Sequence, residues 1–473
     1  MKKEQLLDMI GEAPDRYVKD AKEYKKSSRW AKWAGGIAAM LAIVLLINGL
    51  PGIPLMISAK TVSRAAEARI KSYRQVPDEE KQSWWAANEL RDQQLDAALP
   101  ALADFAERCT AEVISGVDGT NRIWSPVNAY IALAMTAELT EGDTQTELLE
   151  VLGVDSLTDL RSRISAVWES AYADDGNEIS ILANSLWLDN DLEYAQDKMD
   201  ILSHDYYASV YQGNLGSERT NRDIANWMKN ATGGFLSNRT GQVNLPLEDW
   251  MLTMASTVYF QAKWSDEFSA GQNTTGKFHT ASGDVECTFM NQKLVQMNYY
   301  WAEDYGAVQM HMKNGSSMWF ILPDADKTVD DVLSAGDYMD MITLSDTFPG
   351  ENKKWMKVNL SVPKFDVSSG IDLKAGLQNM GVTKVFDWTQ NGFSSSLNSK
   401  TSTYPVYLDS IHQDARVKID EKGVTAASYI ELNFGAGAAM PPDEIIDFVL
   451  DRPFVFAISK NRIPLFTGTI NQP

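Results

Sequence analysis

Between Lys32 and Lys60 the chain runs 27 residues without a charge, and the core of that run, Ile37-Ala-Ala-Met-Leu-Ala-Ile-Val-Leu-Leu-Ile47, is almost wholly aliphatic. About 20 apolar residues let a helix cross the hydrocarbon core of a bilayer. Pro51 and Pro54 fall near the far end of the run, where breaking a helix costs least. A cleaved secretory signal is the rival reading. Against it, the charged leader of 32 residues far exceeds a usual n-region, and Ile57-Ser58-Ala59 is a weak cleavage site. The expected organisation is a basic tail over 1–32, an uncleaved transmembrane helix over 33–58, a polar helical stalk over 59–98 and a globular body over 99–473. Residues 13–32 hold seven Lys/Arg and residues 60–78 hold five. The positive-inside rule then sets the N-terminus in the cytoplasm and the body outside the cell. Secretion after cleavage is the alternative.

Charge narrows the function. Residues 1–74 carry 14 Lys/Arg against 7 Asp/Glu, a balance of +7, so the remainder carries −28 of a net −21. A body this acidic repels a phosphate backbone, which excludes nucleic acid as a partner. The two cysteines, Cys109 and Cys287, make no disulfide framework; they read as two free thiols, with one long-range bridge left open. His204, His279 and His311 show no metal-ligand spacing. No Gly-x-Ser-x-Gly turn, His-Glu-x-x-His or phosphate-cradling glycine loop occurs. An enzyme is therefore not expected, nor is a metal or a cofactor.

The body alternates helical and strand patterns without repeats, which points to an α+β domain. Ile131–Leu139 and Thr144–Leu152 have helical spacing, the second ending at Gly153. Ile179–Leu188, Trp319–Leu322, Val358–Phe365, Phe448–Leu450, Phe454–Ile458 and Leu465–Ile470 read as strands.

One further segment has a strand's pattern in a loop's setting. After Gly423, one alternate set is Val424, Ala426, Ser428, Ile430, Leu432, Phe434 and Ala436, all apolar or small. The other set is Thr425, Ala427, Tyr429, Glu431, Asn433 and Gly435. This is the period of a strand with one buried face, and no proline interrupts it before Pro441. On pattern alone it is an ordinary sheet strand. It ends, however, in Gly435-Ala-Gly-Ala-Ala439, a small-residue run of the kind that is exposed and easily cut. Burying Val424, Ile430, Leu432 and Phe434 contributes roughly 6–12 kcal/mol, at about 1.5–3 kcal/mol each, against the entropy of ordering the loop.

An ordered set of motifs across 99–473 resembles the serpin family. Ser125-Pro126 resembles its SPxS helix start, Gly142-Asp-Thr144 its Gly-x-Thr, and Ala183-Asn184-Ser-Leu-Trp187 its A-N-x-hydrophobic-aromatic strand. Ile224-Ala-Asn-Trp227 with Thr232-Gly-Gly234 is similar to its INxWVxxxTxGxI helix, and Tyr259-Phe260, Trp264 and Phe268 to its YFKGxWxxxF pattern. Leu322-Pro-Asp324, Pro363-Lys-Phe365, Leu377 with Met380-Gly381, Ile411-His412, Arg452-Pro453-Phe454, Leu465-Phe with Gly468, and Pro473 continue the match in order. Asn128, Ser256 and Leu139-Thr140 depart from the family's Ser, Asn and Gly-Ala.

The resemblance implies a serpin fold: a large mixed central β-sheet, further sheets and about nine helices. It places a reactive-centre loop over about 421–442, with a hinge at Glu421, Gly423, Val424, Thr425, Ala426, Ala427 and Ser428. Counting from Gly423 or back from Pro441 sets the reactive bond on either side of Ala438, among Gly437, Ala438 and Ala439. Ser125, Asn184, Trp264 and His412 map to the region where the sheet opens, with Asn184 and His412 as a buried polar pair. The implied function is suicide inhibition of a serine protease, with cysteine proteases a second class: the cut loop inserts as a strand while the protease is still acylated. The intact form would then be a kinetic trap. Small residues at the bond suit an elastase-like or subtilisin-like target. The absence of Lys or Arg between Lys422 and Arg452 disfavours a trypsin-like one. A monomer is expected. The alternative is a non-inhibitory serpin-fold carrier or chaperone, to which Tyr429, bulkier than the family's usual small residue though outward-facing on insertion, would point.

Overall fold

Three of the longer helices start on a serine cap. Ser125 accepts from the Asn128 backbone N–H ahead of Pro126–Leu139, Ser156 caps Leu157–Ala171, and Ser217 caps Glu218–Ala231. Pro126 fills the first helical position, where the missing N–H costs nothing. Gly153, at φ +67°, follows the helix Gly142–Val151 in the left-handed conformation that a C-terminal stop needs. The computed structural model describes residues 57–67, 76–116, 119–174, 179–234, 251–313, 315–344, 352–390, 392–401, 405–409, 411–424 and 444–473. The chain divides into Met1–Pro54, outside the described residues, and Leu55–Pro473, the body.

The fold is α+β, with nine α-helices among the described residues. The central sheet contains β1 (Lys60–Ser63), β2 (Ile179–Asp189), β3 (Ala208–Gly213), β4 (Leu252–Lys263), β5 (Phe365–Asp372), β6 (His412–Asp420) and β7 (Gly423–Val424). Their order across the sheet is β1-β3-β2-β4-β7-β6-β5, with Ala173–Asp174 paired onto β2. A second, nine-stranded sheet includes Gly283–Trp301, Ser316–Pro323, Lys353–Pro363, Phe454–Lys460 and Ile463–Ile470. Ser316–Pro323, Phe454–Lys460 and Ile463–Ile470 are buried along their whole length, which is why their central residues read as apolar runs without alternation. The main core fills the space between these sheets and the fully buried helix Pro126–Leu139. Cys109 and Cys287 are both free thiols, and burial pushes Cys109 up to about 12.

The strand and helix expectations are met, with one change at the N-terminal side. Residues expected in a stalk are part of the body. Lys60–Ser63 adds to the edge of the central sheet, Lys60 standing opposite Gln212. The helix Lys81–Ile114 runs without a break from the expected stalk into the core, burying Asn88, Leu95 and Ala98 on the way. Ile57 packs against the body as well, and the Ser58 N–H donates to Asp223. The physical reason is pairing: β3 offers an open edge, and the apolar residues at 57 and 59 find a pocket beside it. Residues 33–56 of the expected membrane helix lie outside the described residues. No helix among the described residues is long and apolar enough to cross a membrane.

Candidate functional site

The site is a seam in the central sheet. Strands β4 and β6 lie on either side of β7, and among the described residues each pairs antiparallel with it through Gly423 and Val424. Val424 stands opposite Ala262 on one side and Ile419 on the other; Gly423 stands opposite Lys263 and Asp420. Strands β4 and β6 are therefore parallel to each other and, at this level, two strand spacings apart, about 9–10 Å. Among the described residues they share no ladder with one another. The inward faces beside the seam are apolar: Val258, Phe260 and Ala262 on β4, and Ala415, Val417 and Ile419 on β6.

The hinge end is fastened by a set of specific contacts. Trp264 is fully buried; its indole N–H donates to Asp420 O at 2.9 Å and its backbone N–H to Lys422 O at 3.0 Å. Phe268 N–H donates to Glu421 O at 2.9 Å. The Glu421 carboxylate takes Lys364 Nζ at 2.5 Å and Asn273 Nδ2 at 2.7 Å. The Lys364 ammonium holds the Glu421 carboxyl down at about 2. Gly423 is needed for close approach: a Cβ there would lie 2.2 Å from Ala262 O and 2.7 Å from Lys263 Cα.

Below the hinge, a polar cluster joins the helix Pro126–Leu139 to three strands. Ser125 N–H donates to Gln413 Oε1 at 2.6 Å, and Gln413 Nε2 returns a bond to Ser125 O at 3.1 Å. Asn184 is buried; its amide donates to Tyr206 O at 3.1 Å and its oxygen accepts from Ser256 Oγ at 2.5 Å. Ser256 Oγ also lies against Asn128 Oδ1. Two of the departures from the family pattern, Asn128 and Ser256, thus touch each other.

Ser125, Asn184 and Trp264 are buried beside the seam. His412 is not. It faces away from the core with its imidazole 3.6 Å from Asp414, which raises its pKa above the ordinary 6.5. The buried partner on β6 is Gln413, one residue on. The cause is strand parity: 413, 415, 417 and 419 point inward, and 412 is out of phase with them. The expected Asn184–His412 pair is replaced by Asn184–Ser256–Asn128 and, beside it, Ser125–Gln413. Glu421, Gly423 and Val424 belong to the described hinge. Thr425, Ala426, Ala427, Ser428, Gly437, Ala438 and Ala439 lie outside the described residues.

A buried ion cluster, missed from the sequence, supports the same helix. Glu138 is fully buried and takes Arg161 through two bonds of 2.7 and 2.8 Å and Lys198 at 2.9 Å, with Tyr206 OH at 3.2 Å. Among the described residues no group of His, Cys, Asp or Glu could hold a metal ion.

With this geometry in view, the known proteins that resemble the chain can be placed. The family model described as "Serpin (serine protease inhibitor)" matches residues 100–473. Serpin-ZX of Arabidopsis thaliana is 28% identical over 75% of this chain and 92% of its own length. Plasminogen activator inhibitor 1 of Sus scrofa is 25% identical over 78% of this chain and 91% of its own. The crystal structure of tengpin, a thermophilic serpin, in its native state has 25% identity and a TM-score of 0.69, covering 79% of this chain and 94% of that one.

Proposed function

The chain belongs to the serpin family, and we propose that within it this protein is an inhibitor that traps a serine protease, with elastase-like or subtilisin-like preference, by inserting its cut loop between β4 and β6. The observation that carries this is the seam: two parallel strands flank a hinge whose last described residues, Gly423 and Val424, pair with both of them. Continued in the same antiparallel register, residues 426, 428 and 430 fall opposite 260, 258 and 256 on β4, and 417, 415 and 413 on β6. The small or apolar set of the sequence would then face the same way as Phe260, Val258, Val417 and Ala415, and no charge would enter the core. Loop insertion as strand addition, with release of stored strain, is a general mode.

The chemistry is the protease's own: its serine attacks the carbonyl before the scissile bond, releases the new amine on the 438–442 side and stays esterified to the hinge side. The bond is placed at Gly437-Ala438 or Ala438-Ala439. The protein acts as a monomeric pseudo-substrate and not as a catalyst, held on the outer face of the cell membrane by the apolar segment of 33–56. Tyr429, bulkier than the family's usual small residue and in the outward-facing set, supports one other reading, a non-inhibitory carrier.

Incubating the protein with elastase or subtilisin tests this. An inhibitor yields a denaturant-resistant complex, and loop cleavage raises its melting temperature. Simple nicking, with melting unchanged, would leave the carrier reading in place.

A further inference from the structure

The N-terminal segment 57–66 is bonded to three elements of the body at once. β1 pairs with β3, Thr61 opposite Tyr211 and Ser63 opposite Val210. Ser58 and Ala59 backbone N–H groups both donate to Asp223 Oδ2, at 2.8 and 3.0 Å, and Asp223 is a buried residue of the helix Glu218–Ala231. Ala66 N–H donates to Ser203 O at 2.8 Å, and Ser63 Oγ bonds Ser203 Oγ at 2.7 Å, on the helix Gln196–Asp205. Ile57 and Ala59 pack into a small cluster with Trp187 of β2, Tyr211 of β3, Ala255 of β4, and Ile224 and Trp227 of the Glu218–Ala231 helix.

That helix lies across the sheet on the face opposite the main core, its far end over Tyr259 of β4, where a Cβ on Gly233 would meet the ring at 3.0 Å. Its C-terminal end thus lies over a strand bordering the seam, and its N-terminal half is tied to the sheet's outer edge by Asp223. Adding a strand between β4 and β6 displaces β4, β2 and β3 together and changes the twist beneath the helix. The helix packs across β2, β3 and β4 and must shift as they move, and residues 57–59 are among the groups that join it to the sheet's outer edge.

We propose that residues 57–66 are a strap that holds the Glu218–Ala231 helix onto the sheet edge and so raises the barrier to loop insertion. This rests on the inhibitory function proposed above. In this role, the segment before the helix Lys81–Ile114 regulates how long the loop stays out. Weakening the strap speeds insertion without touching the hinge, because the strap shares no contact with Glu421, Gly423 or Val424.

Two variants of the full chain test it, both in a Cys287→Ser background. Asp223→Ala removes the shared acceptor of Ser58 and Ala59. Ala59→Cys with Gly213→Cys places two thiols where a Cβ on Gly213 would stand 3.4 Å from Ala59 Cβ, near disulfide range, and 3.0 Å from Thr220 Oγ1, a contact that the oxidised and reduced samples share. The readout is the rate at which the uncut protein, warmed without protease, loses the ability to form a protease complex and gains heat stability. Asp223→Ala should convert about tenfold faster. The double-cysteine protein should convert several-fold more slowly when oxidised than when reduced, so that each sample is its own folding control. Equal rates for all forms, alongside normal protease complexes from the wild-type protein, would overturn the strap alone. Failure of every form to trap protease or to gain stability would overturn the inhibitory function, and the strap with it.

Discussion

Replacing Gln413 with Leu isolates the contact that the structure assigns to strand parity. Leu is close to Gln in volume, so the change opens no cavity, and the effect is confined to hydrogen bonding. Two bonds disappear, Ser125 N–H to Gln413 Oε1 and Gln413 Nε2 to Ser125 O. Ser125 O keeps the Ala129 N–H at 3.2 Å. The Ser125 N–H, in a residue 2% exposed, keeps none. An orphaned buried donor costs about 1–3 kcal/mol. His412→Gln removes a solvent-facing interaction at 3.6 Å, worth about 0.2–1 kcal/mol.

At about 2.1 cal/mol/K of unfolding entropy per residue, a body of this size loses about 1 °C for each kcal/mol. Differential scanning of the intact protein at pH 7.5 should therefore show Gln413→Leu about 1–3 °C lower and His412→Gln displaced by less than about 1 °C. Scan rates must be matched, because the melting of a large protein is often irreversible and then depends on the rate of heating. Equal shifts, or a larger one for His412→Gln, would show that Gln413 does not hold the start of the Pro126–Leu139 helix.

Arg161→Leu strips two of the bonds from the fully buried Glu138 carboxylate and should cost about 3 kcal/mol, read as the shift of the urea midpoint. Gly423→Ala pushes a methyl group against Ala262 O and should destabilise the intact hinge by about 1–3 kcal/mol, seen as faster protease cleavage between 424 and 441. Glu421 is held below its ordinary 4.5, so the Lys364–Glu421 pair stabilises fully above that value and is lost as pH falls through it toward about 2. Glu421→Gln, costing about 1 kcal/mol at pH 7, should flatten acid melting profiles in that window. His412 is raised above 6.5, so its bond to Asp414 stabilises fully below 6.5 and fades as pH rises through the folded value. His412→Gln should remove that slope.

How far the fold was legible in the sequence depended on what each segment contacts. The C-terminal strands were legible because Phe454–Lys460 and Ile463–Ile470 are buried on both faces and carry no competing pattern. The helix Pro126–Leu139 was legible from Ser125 and Pro126, a local cap that no tertiary contact overrides. At the site, the family pattern leads through Ile411-His412 to His412, whereas the buried residue of that strand is Gln413. The alternation Gln413, Ala415, Val417, Ile419 was present in the sequence and points to Gln413. A polar residue in phase with an apolar set is a candidate for a buried bond, whatever its neighbour is. The Glu138 cluster had no such signal: its cations lie 23 and 60 residues away on other helices, and only the fold brings them together. The edge strand Lys60–Ser63 was hidden for a third reason. Four polar and small residues have too little alternation to read as a strand, and their ladder partner lies some 150 residues on. Strand pairing at a sheet edge is decided by the open backbone of the neighbour and not by side chains. A segment of weak intrinsic preference can therefore take part in the conformational control of a sheet, provided that it sits where an edge is free and a buried carboxylate such as Asp223 can receive its first two amides.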